Sequence, residues 1–222
     1  MSGSLPLAAL ALSMLLSSLG TSIANVALPD IAHVFGVPFA AVQWVVLAYL
    51  LAVTVLVVLA GQLGDAMGRR RLLLTGLAVF TAGSALCGLV PESWASGPWA
   101  LVAARAVQGA GAAAMMALTL AFVGTAVPPE RTGRAMGVVG STSAVGTALG
   151  PAVGGLLIAA FGWRGVFWIC VPLGLAAFGL AWRALPADIP ASRPARGFDL
   201  AGAALLAVAL AAYALAMTVG QG

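Results

Sequence analysis

The stretch GQLGDAMGRRRLLL, residues 61–74, sets one Asp and three Arg between two long apolar runs. Apolar residues fill roughly 41–62 before the charged turn and roughly 72–90 after it. A helix needs about 20 apolar residues to cross the hydrocarbon core of a bilayer, and each run has that length. Charge collected in the short gap between two such runs is typical of a turn at the membrane surface. The stretch therefore predicts a hairpin of two membrane-spanning helices.

The composition extends this prediction to the whole chain. Of its 222 residues, 62% are hydrophobic and 7% are charged, and the mean hydropathy is +1.10. A soluble domain with so few charges could not cover its surface with polar groups, so we expect a membrane protein in contact with the lipid bilayer. The net charge of +4 comes from Arg residues spread mostly over the gaps between apolar runs. We therefore expect no nucleic-acid partner.

Seven apolar runs are long enough to span a bilayer, which predicts an all-α polytopic membrane protein. They cover roughly residues 5–28, 41–62, 72–90, 99–124, 135–160, 165–183 and 199–219. The first run is longer than a usual signal sequence and lacks a basic segment before it, so we expect it to be retained.

The distribution of Arg predicts the orientation of the helices. Alternate gaps carry Arg69–Arg71, then Arg131 and Arg134, then Arg183, Arg193 and Arg196, whereas the opposite gaps hold Asp30, Glu92 and Arg164. Positive charge marks the cytoplasmic side, which predicts a cytoplasmic N-terminus in a plasma or inner membrane. Seven crossings would then leave the C-terminus outside without a polar tail, so we expect the chain to be truncated.

One Arg falls inside an apolar run, in LVAARAVQGAGAA, residues 101–113. A charge within the hydrocarbon region is costly unless it faces protein or water, so Arg105 needs a reason to be there. It either ties helices together through backbone carbonyls or provides a fixed positive charge in a translocation path. Asn25 ends a polar stripe in the first run and is a candidate partner for Arg105.

The fifth run, with GVVGSTSAVGTALGPAVGG at residues 137–155, is rich in Gly around a central Pro. Such a density of Gly lets a neighbouring helix approach closely, and Pro removes a backbone hydrogen bond and can kink the helix. A tight helix crossing and a segment that takes part in conformational change both fit this pattern. The residues singled out are Gly137, Gly146, Gly150, Pro151, Gly154 and Gly155.

The charged turn has its own pattern. Gly61 and Gly64 allow close helix packing, Gly68 allows a sharp turn, and Arg69 and Arg70 follow it. We expect Asp65 near the first turn of a helix, where the helix dipole favours a carboxylate, with the Arg residues bridging to it or to other acids. A simple positive-inside anchor would explain the Arg residues alone.

Other side chains supply aromatic, polar or flexible surfaces on helices expected to face a substrate cavity. They are Gln43, Trp44, Tyr49, Gln108 and Met115. We expect no metal, no cofactor and no enzymatic activity, because the single His, His33, is placed in an outer gap without a ligand partner at useful spacing.

These stretches together resemble the major facilitator superfamily, and most closely its drug:proton antiporter group with fourteen helices. GQLGDAMGRRRLLL is similar to the superfamily's loop between the second and third helices, and LVAARAVQGAGAA to its fourth helix. The stretch from Gly137 through GTALGPAVGG resembles the antiporter motif of the fifth helix. The resemblance implies that Asp65 and Arg69 belong to a cytoplasmic latch, that Arg105 assists proton coupling, and that the Gly/Pro helix lines a moving interface.

The chain departs from the related pattern at three positions. Gly20 stands where the first helix usually has an acid, Ala66 stands where a basic residue often follows the Asp, and Cys170 replaces a common Asn. The first departure removes a carboxylate that the group uses to handle protons or cations.

The resemblance also implies a domain organisation and a function. Residues 1–183 would form the six-helix N-terminal bundle, 184–198 a cytoplasmic linker and 199–222 a seventh transmembrane helix, with the C-terminal half missing. The expected function is proton-coupled efflux of small amphipathic drugs or metabolites by alternating access. An uptake carrier of the same fold, or a truncated or half-length membrane subunit without transport activity, are the alternatives.

Overall fold

The described part of the chain is helical. The computed structural model describes residues 4–92, 98–126, 129–188 and 200–219, and these contain helices and no strand. The helices are α1 (Ser4–Phe35), α2 (Phe39–Met67), α3 (Arg69–Leu89), α4 (Trp99–Ala126), α5 (Pro129–Phe161), α6 (Gly165–Trp168), α7 (Cys170–Ala184) and α8 (Leu200–Val219). The prediction of an all-α polytopic membrane protein is confirmed.

Within the described residues, six segments are long and apolar enough to cross a membrane. The sixth, Gly165–Ala184, combines α6 and α7, which are separated only at Ile169. Pro172 has no N–H to bond the carbonyl of Trp168, and Ile169 keeps helical dihedral angles, so the segment is one span with a local irregularity. The seventh predicted helix is present as α8, which lies against α2.

Two helices extend further than their apolar runs predict. α1 continues past Pro29 to Phe35, so His33 lies in its last turn and not in an outer gap. α5 begins at Pro129, a favourable first position for Pro, and so includes Arg131 and Arg134. The backbone hydrogen bonds of both helices continue past the ends of the apolar runs. The boundaries of the predicted linker stay a prediction, because residues 189–199 with Arg193 and Arg196 lie outside the described residues.

The bundle is assembled from a few close helix pairs. α1 packs mainly against α5, α4 packs against both α2 and α3, and α7 packs against α3 and α1. Gly83 and Gly111 set the distance between α3 and α4: a Cβ at Gly83 would lie 2.7 Å from the Gln108 Cα, and one at Gly111 would lie 2.6 Å from the Gly76 carbonyl oxygen. The absent side chains therefore allow the two backbones to touch.

Two layers of apolar side chains fill the bundle. One layer contains Leu16, Tyr49, Phe80, Ala112 and Cys170. The other contains Leu19, Val46, Cys87, Ala104 and Phe167, so each helix passes from one layer to the other within a few residues. Several buried polar side chains, among them Ser17, Ser84, Arg105 and Gln108, lie where the two layers meet.

Candidate functional site

Arg105 lies at this boundary and is completely buried. Its Nε donates a hydrogen bond to the carbonyl of Val45 on α2 at 3.0 Å, and its Nη2 donates to the carbonyl of Gly20 on α1 at 3.1 Å. Its Nη1 donates to Oε1 of Gln108 on the same helix at 2.5 Å. One guanidinium thus joins three helices through acceptors that carry no full charge.

The network continues from Gln108 to α3. Its Nε2 donates to the Ser84 hydroxyl at 2.7 Å, and that hydroxyl donates to the Phe80 carbonyl at 2.8 Å. Gln108 and Ser84 are fully buried. Each side-chain nitrogen and oxygen of Arg105, Gln108 and Ser84 has at least one hydrogen-bond partner, which is the condition under which a polar group is tolerated in an apolar interior.

Aromatic rings complete the surroundings of the guanidinium. The Arg105 Cζ lies 4.2 Å from the centre of the Tyr49 ring and 5.9 Å from that of the Phe167 ring. The electron-rich faces of aromatic rings stabilise a desolvated cation. The Tyr49 hydroxyl donates to the Ser17 carbonyl at 2.7 Å, which fixes the ring against α1. The described residues therefore hold the charge of Arg105 without a carboxylate beside it.

The sequence suggests Asn25 as a partner for Arg105, but the structure does not pair the two side chains. The Asn25 amide donates instead to the carbonyls of Thr21 and Ser22 on its own helix, at 3.3 and 3.4 Å, and its side chain is exposed. Gly20 takes the role of partner through its backbone, which a pattern of side chains could not indicate.

The residues expected to line a cavity fall into two groups. Gln43 and Trp44 are half-buried near the start of α2. Tyr49, Gln108 and Met115 are fully buried inside the bundle, and their part in a substrate cavity stays a prediction. Their polar or flexible character is used in internal packing around Arg105 and in the apolar core.

The charged turn brings together the end of α2, the start of α3 and the end of α4. Both Nε and Nη2 of Arg69 donate to Oδ1 of Asp65, at 3.0 and 2.8 Å, and Nη1 donates to the carbonyl of Ala121 at 3.1 Å. Gly64 faces Leu118 so closely that a Cβ there would overlap it, whereas Gly61 has open space around it. The predicted contact between Asp65 and Arg69 is confirmed.

Asp65 does not occupy a helix N-terminus, however, because it lies in the last turn of α2. The carboxylate at the N-terminus of α3 belongs to Asp188, which accepts hydrogen bonds from the backbone N–H groups of Arg70 and Arg71 at 2.7 and 2.9 Å. The sequence places Asp188 in the predicted linker, and its contact with α3 was not predicted. An acid just after the sixth span was its one visible signal, but no spacing rule connects it to a turn more than a hundred residues earlier.

The Gly residues of α5 divide into two faces. Gly146, Gly150 and Gly154 meet α1: a Cβ at Gly146 would lie 2.6 Å from the Leu15 carbonyl oxygen, and one at Gly150 would overlap the Ser22 hydroxyl. Gly137 and Gly155 have no atom near their missing Cβ, and Pro151 is exposed. The first face forms a tight crossing, and the second face lies open beside the bundle.

Comparison with known proteins gives a consistent family. The Major Facilitator Superfamily matches residues 10–221. Multidrug resistance protein Stp of Mycobacterium tuberculosis is 39% identical over 97% of this chain and 39% of its own length. Riboflavin transporter RibZ of Clostridioides difficile is 35% identical over 93% of this chain and 44% of its own length. The chain therefore spans about two fifths of the curated relatives it matches.

Solved structures show the same fold. The proton:xylose symporter XylE aligns with a TM-score of 0.71 and 16% identity, over 83% of this chain and 45% of the symporter. The likeness in fold agrees with the helical bundle described above, and the match in sequence covers nearly the whole chain. The chain belongs to the major facilitator superfamily of membrane transporters.

Proposed function

We propose that this chain is the N-terminal part of a transporter that exports small amphipathic organic compounds in exchange for protons by alternating access. The observation that carries the proposal is Arg105, a fully buried cation held inside the bundle by the carbonyls of α1 and α2. Transfer of a charged side chain into an apolar span is costly, so an Arg in this position is a candidate functional residue. The superfamily membership supports transport, and the name of the Mycobacterium relative supports organic toxic compounds as cargo.

Arg105 is suited to coupling because its charge is balanced by dipoles and rings and not by a fixed carboxylate. A carboxylate that gains or loses a proton nearby would change the field at the guanidinium strongly, since the surroundings have a low dielectric constant. We place that carboxylate in the C-terminal half that the proposed transporter would have, because Gly20 stands where the resemblance of the first helix implies an acid. A protonation change would then alter how firmly Arg105 holds α1 and α2 together.

The open face of α5 and the charged turn supply the mechanical parts of the proposal. The second half would pack against the Gly137 and Gly155 face, where helices can slide at short distance. The Asp65–Arg69 pair would help close the cytoplasmic side in the outward-facing state. Gln43 and Trp44 stay candidates for contact with substrate, because they are half-buried, and the exposed side chain of Asn25 is a further candidate.

We also propose the location and orientation of the chain. The helix ends on one side of the membrane would carry most of the positive charge, namely Arg69–Arg71, Arg131, Arg134 and Arg183. The alternate connections carry Glu92 and Arg164. This bias favours a multi-pass protein of the cell membrane with a cytoplasmic N-terminus.

The test is efflux of a fluorescent lipophilic cation from energised cells. Cells expressing the complete reading frame should lower their internal fluorescence, and an uncoupler that collapses the proton gradient should abolish the effect. Expression of residues 1–222 alone should give no efflux, because one half forms only one side of the translocation path. Efflux that survives the uncoupler would contradict proton coupling, and accumulation in place of efflux would identify an uptake carrier of the same fold.

A further inference from the structure

Asp188 makes an unusual connection across the charged turn. Its two carboxylate oxygens accept hydrogen bonds from successive backbone N–H groups of α3, Oδ1 from Arg70 at 2.7 Å and Oδ2 from Arg71 at 2.9 Å. The first N–H groups of a helix have no acceptor within the helix, and the positive end of its dipole lies there. Asp188 thus serves α3 as an N-terminal cap, although it comes from the chain that follows α7.

The turn is shaped to receive this carboxylate. Gly68 immediately precedes α3 and has a φ angle of 103°, a conformation that other residues rarely adopt. A Cβ at Gly68 would lie only 2.5 Å from both Cγ and Oδ2 of Asp188. The glycine therefore permits the sharp turn and also leaves the space that Asp188 occupies.

A second contact joins the same two elements. The Arg70 Nη2 donates to the carbonyl of Trp182 in the last turns of α7 at 2.6 Å, and the Arg70 Cζ lies 5.4 Å from the centre of the Trp182 ring. The carbonyls at the end of a helix have no partner within it, so Arg70 completes α7 as Asp188 completes α3. Three hydrogen bonds at helix ends thus hold the exit of the sixth span against the start of the third.

We propose that Asp188 is a positioning residue of the transport cycle, whose carboxylate ties residues 185–188 to the α2–α3 turn so that the exit of the sixth span and the Asp65–Arg69 pair move as one unit. The inference rests on the proposed transport function. Asp65 precedes Gly68 and Arg69 follows it. A displacement of the turn would therefore move both the Asp65–Arg69 ion pair and the N–H groups that Asp188 caps. A movement of the charged turn would then be accompanied by a movement of residues 185–188.

The first measurement is hydrogen exchange on the purified complete protein, which does not depend on transport. In Asp188→Ala, peptides that contain residues 69–72 should exchange about fivefold faster, the factor expected for the loss of a helix cap. Asp188→Asn, which keeps one acceptor oxygen but no charge, should give a smaller increase. Glu130→Gln is the matched control, because Glu130 is an exposed carboxylate in the first turn of α5 and should leave these peptides unchanged.

The second measurement separates positioning from simple folding stability. For a compound that the complete protein exports, Asp188→Ala should lower the maximal rate at least fivefold while the half-saturating concentration stays within about twofold. Asp188→Asn should restore part of the rate in proportion to the exchange data. Gly68→Ala provides a second route to the same result, because it displaces the carboxylate without removing it.

Each result has a definite meaning. Unchanged exchange in both Asp188→Ala and Gly68→Ala would overturn the tie, and faster exchange with an unchanged maximal rate would overturn its role in the cycle. If the unmodified complete protein exports nothing, the proposed function fails, and the exchange data alone then decide whether Asp188 holds the turn.

Discussion

The Nη2 of Arg105 donates a hydrogen bond to the carbonyl oxygen of Gly20 at 3.1 Å, at the level where the two apolar layers of the bundle meet. Gly20 is closely packed at this point, because a Cβ there would lie 3.1 Å from the Phe80 ring and 3.2 Å from the Tyr49 hydroxyl. A backbone carbonyl and aromatic rings thus surround the guanidinium of Arg105. These contacts tie α1 and α2 to α4, and a role for the charge in a translocation path stays a proposal.

The first prediction concerns replacement of Arg105. Arg105→Ala removes the bonds that tie α2 and α1 to α4 and leaves the buried Oε1 of Gln108 without its donor, so we expect a loss of stability on the order of 1 to 3 kcal/mol as well as loss of coupled efflux. Arg105→Lys keeps the charge but has a single ammonium group in place of the planar guanidinium. We therefore expect a smaller loss of stability than in Arg105→Ala, with little efflux. Thermal unfolding in detergent and uncoupler-sensitive efflux measure the two effects.

Val107→Ala is the control for this series, because Val107 is an exposed apolar residue on the same helix. It should match the unmodified protein in both measurements. Full efflux by Arg105→Ala would contradict the coupling role, and an unchanged unfolding temperature would contradict the structural one.

The second prediction separates gating from stability at Asp65. The Asp65–Arg69 pair is exposed, with side-chain accessibilities of 65% and 30%, and exposed pairs contribute only ~0.2 to 1 kcal/mol to folding. Asp65→Asn should therefore leave the unfolding temperature nearly unchanged while lowering the maximal efflux rate by about tenfold, equivalent to ~1.4 kcal/mol in the barrier. Substrate affinity should change little, because the pair lies at the end of α2.

Glu130→Gln again provides the matched carboxylate replacement, and it should retain the full rate. A turnover in Asp65→Asn equal to that of the unmodified protein would reduce the charged turn to an anchor for orientation.

The sequence predicted the parts of this protein that depend on periodic or local patterns. Runs of apolar residues identified the spans, and Asp65 and Arg69, four residues apart, meet as their spacing indicates. It failed where partners are backbone atoms or come from distant segments. Gly20 binds Arg105 through a carbonyl, and Asp188 reaches a helix end 118 residues away in sequence from its partner Arg70. Neither contact leaves a recognisable side-chain pattern.

The third prediction uses the two faces of α5. At Gly146 a Cβ would lie 2.6 Å from the Leu15 carbonyl, and backbone cannot move aside cheaply, so Gly146→Ala should destabilise the bundle by about 1 to 3 kcal/mol. At Gly137 the space is open, and Ala should leave stability equal or raise it by up to ~1 kcal/mol through helix propensity. If this open face meets the second half, Gly137→Ala should still slow efflux by the complete protein.

Thermal unfolding of both variants, followed by efflux at equal expression, tests whether the two faces of α5 differ. Equal destabilisation by the two substitutions would show that the faces do not differ. Normal efflux by Gly137→Ala would place the second half elsewhere.

The fourth prediction concerns pH and the opposite end of the bundle, where Arg164 connects two turns. Its Nη1 donates to Oε1 of Glu92, its Nη2 donates to the Val90 carbonyl at 2.8 Å, and its Cζ lies 4.5 Å from the centre of the Trp163 ring. The hydrogen bond from Arg164 is the main cause that lowers the pKa of the Glu92 carboxyl below its ordinary value. The ionised carboxylate is therefore favoured in the folded protein.

The sign of the pH effect follows from this lowered pKa. The charge of Glu92 contributes stability at every pH above the ordinary Glu pKa, and this contribution disappears as the pH falls through the lower value in the folded protein. The unfolding temperature of the unmodified protein should thus exceed that of Glu92→Gln by a constant small amount near neutrality, and the two should converge in acid. Because Gln can still accept a bond from Arg164, the difference measures the charge alone. A difference that grows on acidification would contradict the assignment of Arg164 as the partner that keeps Glu92 ionised.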